Sequence, residues 1–466
     1  MVKRLIYSLA LIMLAAMPTM AQEDSVSTKN TQPEAANISQ ARSPLKKVTM
    51  VTYPDLADDP IQFNIQYTSK NAKNEKVALS ARVYVPEPFD KIDSKCEVTH
   101  VILNCHPTVT SNFESPTGTG AMDKDIKRMC GVHNVLDGLN LTGYYMVICP
   151  DYCGYGLSSY LQHPYLIHDI TAANCIDAIL PAIEEAKNRN TKIGSWDLTI
   201  VGYSQGGATA LACAKYLESD GCPQNLKDKI NLRETFCGDG PYSTPATVSK
   251  YMEWGVPTEY GGPDKDLEYP CVLPLILGAA KEAYGDGCMN TVDVETFFSE
   301  EFRNTGIIDM LKTKVLNTDD LNNEIKELMP RRRPVDVFSP NIINPDGTFK
   351  TETNEYKCLM RAMEIGDLTK GWQPQHPITF YHLPNDVVVP YANFEEAKKG
   401  FGTDKKHIRF LEAKDAHKGG KLFDVLSWAE DISNPDFQNT NHTDGGMLFY
   451  VDFLFGGILR QIEWWK

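Results

Sequence analysis

Asp197-Leu198-Thr199-Ile200-Val201-Gly202-Tyr203-Ser204-Gln205-Gly206-Gly207-Ala208-Thr209-Ala210-Leu211 joins a short apolar run to a glycine-flanked serine and then to small, helix-favouring residues. The β-branched residues before Gly202 predict a strand, and the run after Gly207 predicts a helix. Gly-x-Ser-x-Gly between a strand and a helix is the pattern of a nucleophile elbow, where serine stands on a strained turn with its hydroxyl exposed. The residues two positions either side of Ser204 must be small, because strand and helix pass close to the turn. The pentapeptide alone has little weight: with Gly near 7% of residues, a random chain of this length holds a match about one time in six. Its flanks and the residues downstream carry the reading.

Working outward, 61–67 and 77–85 read as strands, the second stopped by Pro86. Val98–Cys105 and 145–150 are apolar on both faces, as buried central strands are. Leu232–Gly238, 377–383 and 407–411 continue the series. Helical patterns fall at 122–139, 168–189, 392–399 and 447–461, with Pro181 expected to kink or divide the second. Buried strands alternating with helices define an α/β class with a mostly parallel sheet. The alternation stops between 239 and 375. That block holds the turn Gly261-Gly262-Pro263, amphipathic helices at Val272–Ala283 and 319–329, and many aromatics. A structureless loop of that length is improbable, so 239–375 is expected to be a helical cap inserted into a core of 46–238 and 376–466. Tyr251, Trp254 and Tyr260 could line an acyl pocket there, ordinary packing being the plainer alternative.

Residues 1–21 read as a cleavable leader: Lys3-Arg4, an apolar stretch from Leu5 to Ala16, and Thr19-Met20-Ala21 before the cut. No cysteine at the junction offers a lipid anchor, and no later apolar run reaches the ~18 residues of a spanning helix. The expectation is a secreted or periplasmic protein without an integral membrane segment. Residues 22–45 are polar and predict a flexible lead segment. The net charge of −15 becomes −17 when Lys3 and Arg4 leave with the leader, which argues against nucleic acid and anionic membranes as partners. Arg331-Arg332-Arg333 is too short to reverse that. All 12 cysteines lie in the mature chain, so bridges are permitted, with Cys271–Cys288 a plausible pair. Cys105, Cys149 and Cys237 end buried strands and read as free core thiols. No Cys/His pattern has zinc spacing.

A serine nucleophile needs a base, and the base an orienting acid, in the chain order Ser, Asp/Glu, His after such an elbow. His382-Leu383-Pro384-Asn385-Asp386-Val387-Val388-Val389-Pro390 places Asp386 in a turn just past a strand. The plainer reading is a turn-forming Asp, and Asp239, after the preceding strand, is the reserve. His442, in Asn441-His442-Thr443-Asp444-Gly445-Gly446, precedes the apolar terminal helix and is favoured as base over His417, which follows the last strand. Two N–H donors must meet the oxyanion. Gln205 supplies one and Thr108 is the candidate for the other, since Pro107 has no N–H. Asp151, Gly154 and Gly156 are expected to shape and brace a loop, and His163, before Pro164, could line a pocket but is read as structural.

Gly-Tyr-Ser-Gln-Gly-Gly, the acid in Asn385-Asp386-Val387-Val388-Val389-Pro390-Tyr391, a late histidine before an apolar helix, and Pro150-Asp151-Tyr152 with Gly154-Tyr155-Gly156 together resemble the α/β-hydrolases of the secretory lipase type. The resemblance spans roughly residues 77–461. It implies an α/β-hydrolase fold with an inserted cap, a Ser204–His442–Asp386 triad, and hydrolysis of small-molecule or lipid esters without a cofactor. A capped serine peptidase using the same residues is the alternative, and a non-catalytic binding protein on a hydrolase scaffold is the third.

Overall fold

The computed structural model describes residues 61–85, 97–119, 144–284, 287–412, and residues 442, 445, 446, 449 and 450. The leader, the lead segment, the predicted helix at 122–139, His417 and most of the predicted terminal helix lie outside the described residues. Eight strands form one sheet: β1 (Ile61–Lys70), β2 (Lys76–Val85), β3 (Val98–Cys105), β4 (Tyr144–Pro150), β5 (Ile193–Tyr203), β6 (Leu232–Gly238), β7 (Ile378–His382) and β8 (Ile408–Glu412). Their order is β1-β2-β4-β3-β5-β6-β7-β8. β2 runs antiparallel to both β1 and β4, and every other neighbouring pair is parallel.

The patterns in the chain explain the placements. β1 is an edge strand in which Phe63, Ile65 and Tyr67 point inward and alternate with exposed residues, so only one face meets the core. β3 is buried without a break from Val101 to Cys105, as a central strand covered on both faces must be. The parallel strands end on a common edge, where a doubly covered sheet presents its loops to ligands. Cys105, Ser204, Asp239 and Leu383 lie at or just past those ends.

Helices His168–Asp177 and Ile179–Asn188 are separate, with the break at Ala178. Pro181 accounts for it: the ring has no N–H for the Asp177 carbonyl and crowds that oxygen. The helix Gln205–Glu218 is buried from Gln205 to Ala214, small residues letting it lie directly on the sheet. Between β6 and β7 the chain builds helices, among them Thr244–Trp254, Val272–Ala283, Thr318–Leu328 and Asn354–Ile365. They enclose a second hydrophobic cluster containing Phe297, Phe298, Phe302, Ile325 and Phe338. Among the described residues no helix is long and apolar enough to cross a membrane.

The disulfide expectation is corrected. Cys288 is bonded to Cys358, and Cys271 is a free, buried thiol. The 12-residue helix Val272–Ala283 carries the chain about 18 Å away from Cys271 before Cys288 is reached. Helix Asn354–Ile365 then brings Cys358 to within 5.4 Å of Cys288, Cα to Cα. Cys105 and Cys237 are free and buried, as read, and Cys149 is buried.

Candidate active site

Ser204 joins β5 to helix Gln205–Glu218 with φ +57° and ψ −126°. Such backbone costs on the order of 1–3 kcal/mol and persists only where the surroundings impose it. Here they do. A Cβ on Gly202 would lie 2.1 Å from the Gly206 carbonyl oxygen, and one on Gly206 would lie 2.0 Å from that of Cys105. The Ser204 N–H donates to the Gly238 carbonyl at 2.9 Å, which ties the turn to β6.

Asp386 stands in the turn after β7 and is 2% exposed. Its Oδ1 accepts the N–H groups of Val388 and Val389 at 2.8 and 2.9 Å. Its Oδ2 lies 2.5 Å from His442 Nδ1. Because that partner is a carboxylate, Nδ1 carries the proton. Among the described residues, His442 Nε2 is buried and has no hydrogen-bond partner. Burial works against a charged His442, but the Asp386 carboxylate more than offsets it and raises the imidazole above its ordinary value. Burial likewise pushes Asp386 up, and His442 and His382 outweigh it, holding the carboxyl below its ordinary value.

Sequence reasoning passed over Tyr203, at the variable position of the elbow. Its hydroxyl donates to the His442 carbonyl at 2.7 Å, and the two rings lie 5.0 Å apart. The residue before the serine therefore holds the histidine. Asp239, the reserve acid, pairs with another imidazole: His382 Nδ1, 3.0 Å away.

Thr108 lies three residues past the end of β3, and Gln205 opens the helix that follows β5. Among the described residues nothing accepts the Thr108 amide, while its hydroxyl meets Tyr165 Oη at 2.8 Å. The loop bearing Thr108 begins at His106, whose ring stacks on Tyr152 at 3.8 Å and is brought down to about 4 by burial. The Gln205 side chain donates from Nε2 to His163 Nε2 at 2.7 Å. His163 accepts there because its Nδ1 donates to the Cys153 carbonyl at 2.8 Å, and burial pulls the ring down to about 3, so it stays neutral. His163 thus contacts the elbow directly, which its position before Pro164 did not signal. Asp151 braces its loop as read, accepting from Ser80 and from the Thr117 amide and hydroxyl.

A cavity of about 210 Å³ lies between this loop and the cap, lined by Tyr155, Gln162, His163, Leu275, Ile308 and Lys314 among others. Ser204, Asp386 and His442 are not in its walls. Nor are the three cap aromatics. Tyr251 is buried with its hydroxyl on the Val388 carbonyl, Trp254 packs in the cap, and Tyr260 is exposed. Lys314 fastens the cap to the loop: its ammonium donates to the carbonyls of Gly154, Ser159 and Leu161, and burial brings it down to about 8.

Among the described residues, Cys105, Cys175 and Cys213 could by type and spacing hold a metal, their sulfurs lying within 4.8 Å of one another. All three are fully buried in the apolar core. Three thiolates around a divalent ion would leave net charge there, so the group fits thiol packing better than a metal centre.

The strand order, the parallel sheet and the strained serine after β5 define the α/β-hydrolase fold. Solved structures agree. The rice cell wall degrading esterase LipA from Xanthomonas oryzae is similar over 79% of this chain and 87% of its own, with a TM-score of 0.57 and 19% identity. A candidate hydrolase from Legionella pneumophila is similar over 80% of this chain and 89% of its own, with a TM-score of 0.56 and 18% identity. No family model and no curated protein matches the chain.

Proposed function

We propose that this chain is an exported serine hydrolase that cleaves carboxylic esters. Ser204 is the nucleophile, His442 the general base and Asp386 the residue that orients the base. The observation that carries this reading is the condition of His442. Its Nδ1 is held by a buried carboxylate, its Nε2 is buried and unpartnered among the described residues, and its carbonyl is tied to the residue before Ser204.

Ser204 Oγ attacks the ester carbonyl carbon while His442 Nε2 takes the hydroxyl proton. The Gln205 and Thr108 amides donate to the oxygen that gains charge. Collapse expels the alcohol, which leaves with the proton from His442. Water then attacks the acyl-enzyme with His442 again as base, and the carboxylic acid departs. The substrate is a small-molecule or lipid ester. The description of LipA as an esterase favours ester over amide, and export rests on the leader at 1–21.

A fluorophosphonate probe and a p-nitrophenyl ester series test this. The wild type is expected to be labelled and to turn over the esters, and Ser204→Ala to lose both. Ester hydrolysis that survived Ser204→Ala would remove the mechanism. Faster turnover of aminoacyl amides than of short acyl esters would make the chain a peptidase instead. A wild type that resisted the probe would leave only a binding protein.

A further inference from the structure

Asp239 and His382 form a second buried acid–imidazole pair, and both side chains are 0% exposed. His382 Nδ1 lies 3.0 Å from Asp239 Oδ1 and 2.8 Å from the Leu383 carbonyl oxygen. Both neighbours are acceptors, so Nδ1 carries the proton. The same Asp239 oxygen accepts the Leu383 N–H at 2.8 Å. The Leu383 carbonyl in turn receives the Asp386 N–H at 3.3 Å. The two peptide groups flanking Leu383 are therefore held by the Asp239–His382 pair, through the N–H of one and the C=O of the other. They set the start of the turn on which Asp386 stands. The Leu383 side chain reaches the other partner. A Cβ on Gly445, three residues past His442, would lie 2.1 Å from Leu383 Cδ1. Leu383 thus touches both the turn that carries Asp386 and the chain three residues past His442.

The pair is a poor stabiliser in its own right. Asp239 is held at φ +37°. Among the described residues, Asp239 Oδ2 and His382 Nε2 are buried without hydrogen-bond partners, and each such atom carries a desolvation penalty. Buried ion pairs are often no more stabilising than apolar residues of similar volume. Tyr391 and Phe394 flank the imidazole at 5.6 and 5.7 Å between ring centres.

We propose that Asp239 and His382 are positioning residues for the hydrolysis: they fix Leu383 so that the Asp386 carboxylate and the His442 ring meet in register. The proposal rests on the reading of Ser204, His442 and Asp386 as the reacting group. Neither residue touches a reacting atom, and both act through Leu383.

The test is made on the full chain, with kcat and KM on a p-nitrophenyl ester and the thermal midpoint measured for each variant. Asp386→Asn and His442→Ala come first. If they keep the wild-type kcat, the underlying reading has failed, whatever the second pair does. Given that they lose it, His382→Gln and Asp239→Ala are expected to lower kcat about 10- to 100-fold, the scale of a small misplacement, with KM within about twofold. His382→Asn keeps a donor where Nδ1 stands and is expected to restore most of the rate that His382→Gln loses. In an Asp386→Asn background, Asp239→Ala should cost less than about threefold, because the constraint it removes no longer acts. Equal kcat losses in His382→Asn and His382→Gln that follow their thermal midpoints would overturn the proposal. So would an Asp239→Ala effect that multiplies fully with Asp386→Asn. If Asp239→Ala does not fold, the two His382 variants decide.

Discussion

The Asp386–His442 pair and the Asp239–His382 pair are built from the same parts. In each, a buried carboxylate meets Nδ1, and Nε2 is buried without a partner among the described residues. In each, burial works against a charged ring and the nearby carboxylate more than offsets it, so the imidazole is raised. They differ in what surrounds the ring. His442 lies against Tyr203, next to the strained serine. His382 lies between Tyr391 and Phe394, hydrogen-bonded to the Leu383 carbonyl. Under the proposed mechanism the same acid–imidazole unit serves two ends, moving a proton beside Ser204 and holding a backbone beside Leu383.

The sharpest way to break that distinction is to remove each ring. His442→Ala is expected to lower kcat on an activated ester by about 10⁴-fold or more, against about 100-fold at most for His382→Ala. Steady-state kinetics on folded protein, checked by circular dichroism, decide it, and equal losses would make the pairs equivalent. Asp386→Asn is next, with an expected loss of about 10³- to 10⁴-fold and a change in pH profile. His442 must be neutral to accept the serine proton, so kcat/KM rises with pH through its pKa. Asp386 raises that pKa above the ordinary 6.5. Without it burial prevails, and the acid limb moves to lower pH. A limb that stayed in place would dissociate His442 from the profile.

The elbow offers a contrast in stability. Gly206→Ala is expected to cost about 3 kcal/mol or more, because the added carbon meets the backbone of β3 rather than a side chain that can swing away. The midpoint of urea unfolding measures it, and a loss under about 1 kcal/mol would mean the elbow has slack. Cys358→Ser opens the bridge to Cys288, which spans 70 residues of sequence. A stability loss on the order of 2 kcal/mol is expected, with turnover per folded molecule retained, since the bridge lies within the cap. A larger loss of turnover than of stability would link the bridge to the site.

Much of the frame was legible because buried parallel strands are contiguous apolar runs. Val98–Cys105, Leu232–Gly238 and helix Val272–Ala283 fall where the sequence puts them. The Gly202 and Gly206 requirement was legible too, since close backbone approach leaves no alternative residue. What escaped depends on distance rather than pattern. The partner of Cys288 is chosen by how two helices pack, and spacing along the chain favoured the wrong one. Tyr203 occupies a position that the elbow pattern leaves open, yet its hydroxyl reaches across to residue 442. His163 looked structural because nothing local signals that its ring meets Gln205. Asp239 looked like a spare acid because its partner lies 143 residues away along the chain.

Lys314 makes the contact between the 154–161 loop and the segment between β6 and β7 sensitive to proton concentration. Its amine sits at about 8, against an ordinary 10.5, because burial disfavours the charged form. Between those values the unfolded chain still holds the proton that the native chain has released. The state with more bound protons is the unfolded one, so this group's contribution to stability rises with pH across that window. Relative to Lys314→Met, the wild type should gain thermal midpoint from pH 8 to 10.5, and paired scans across that range measure it. At neutral pH the lysine joins the two segments at a cost in desolvated charge, and that cost falls as the surroundings become alkaline.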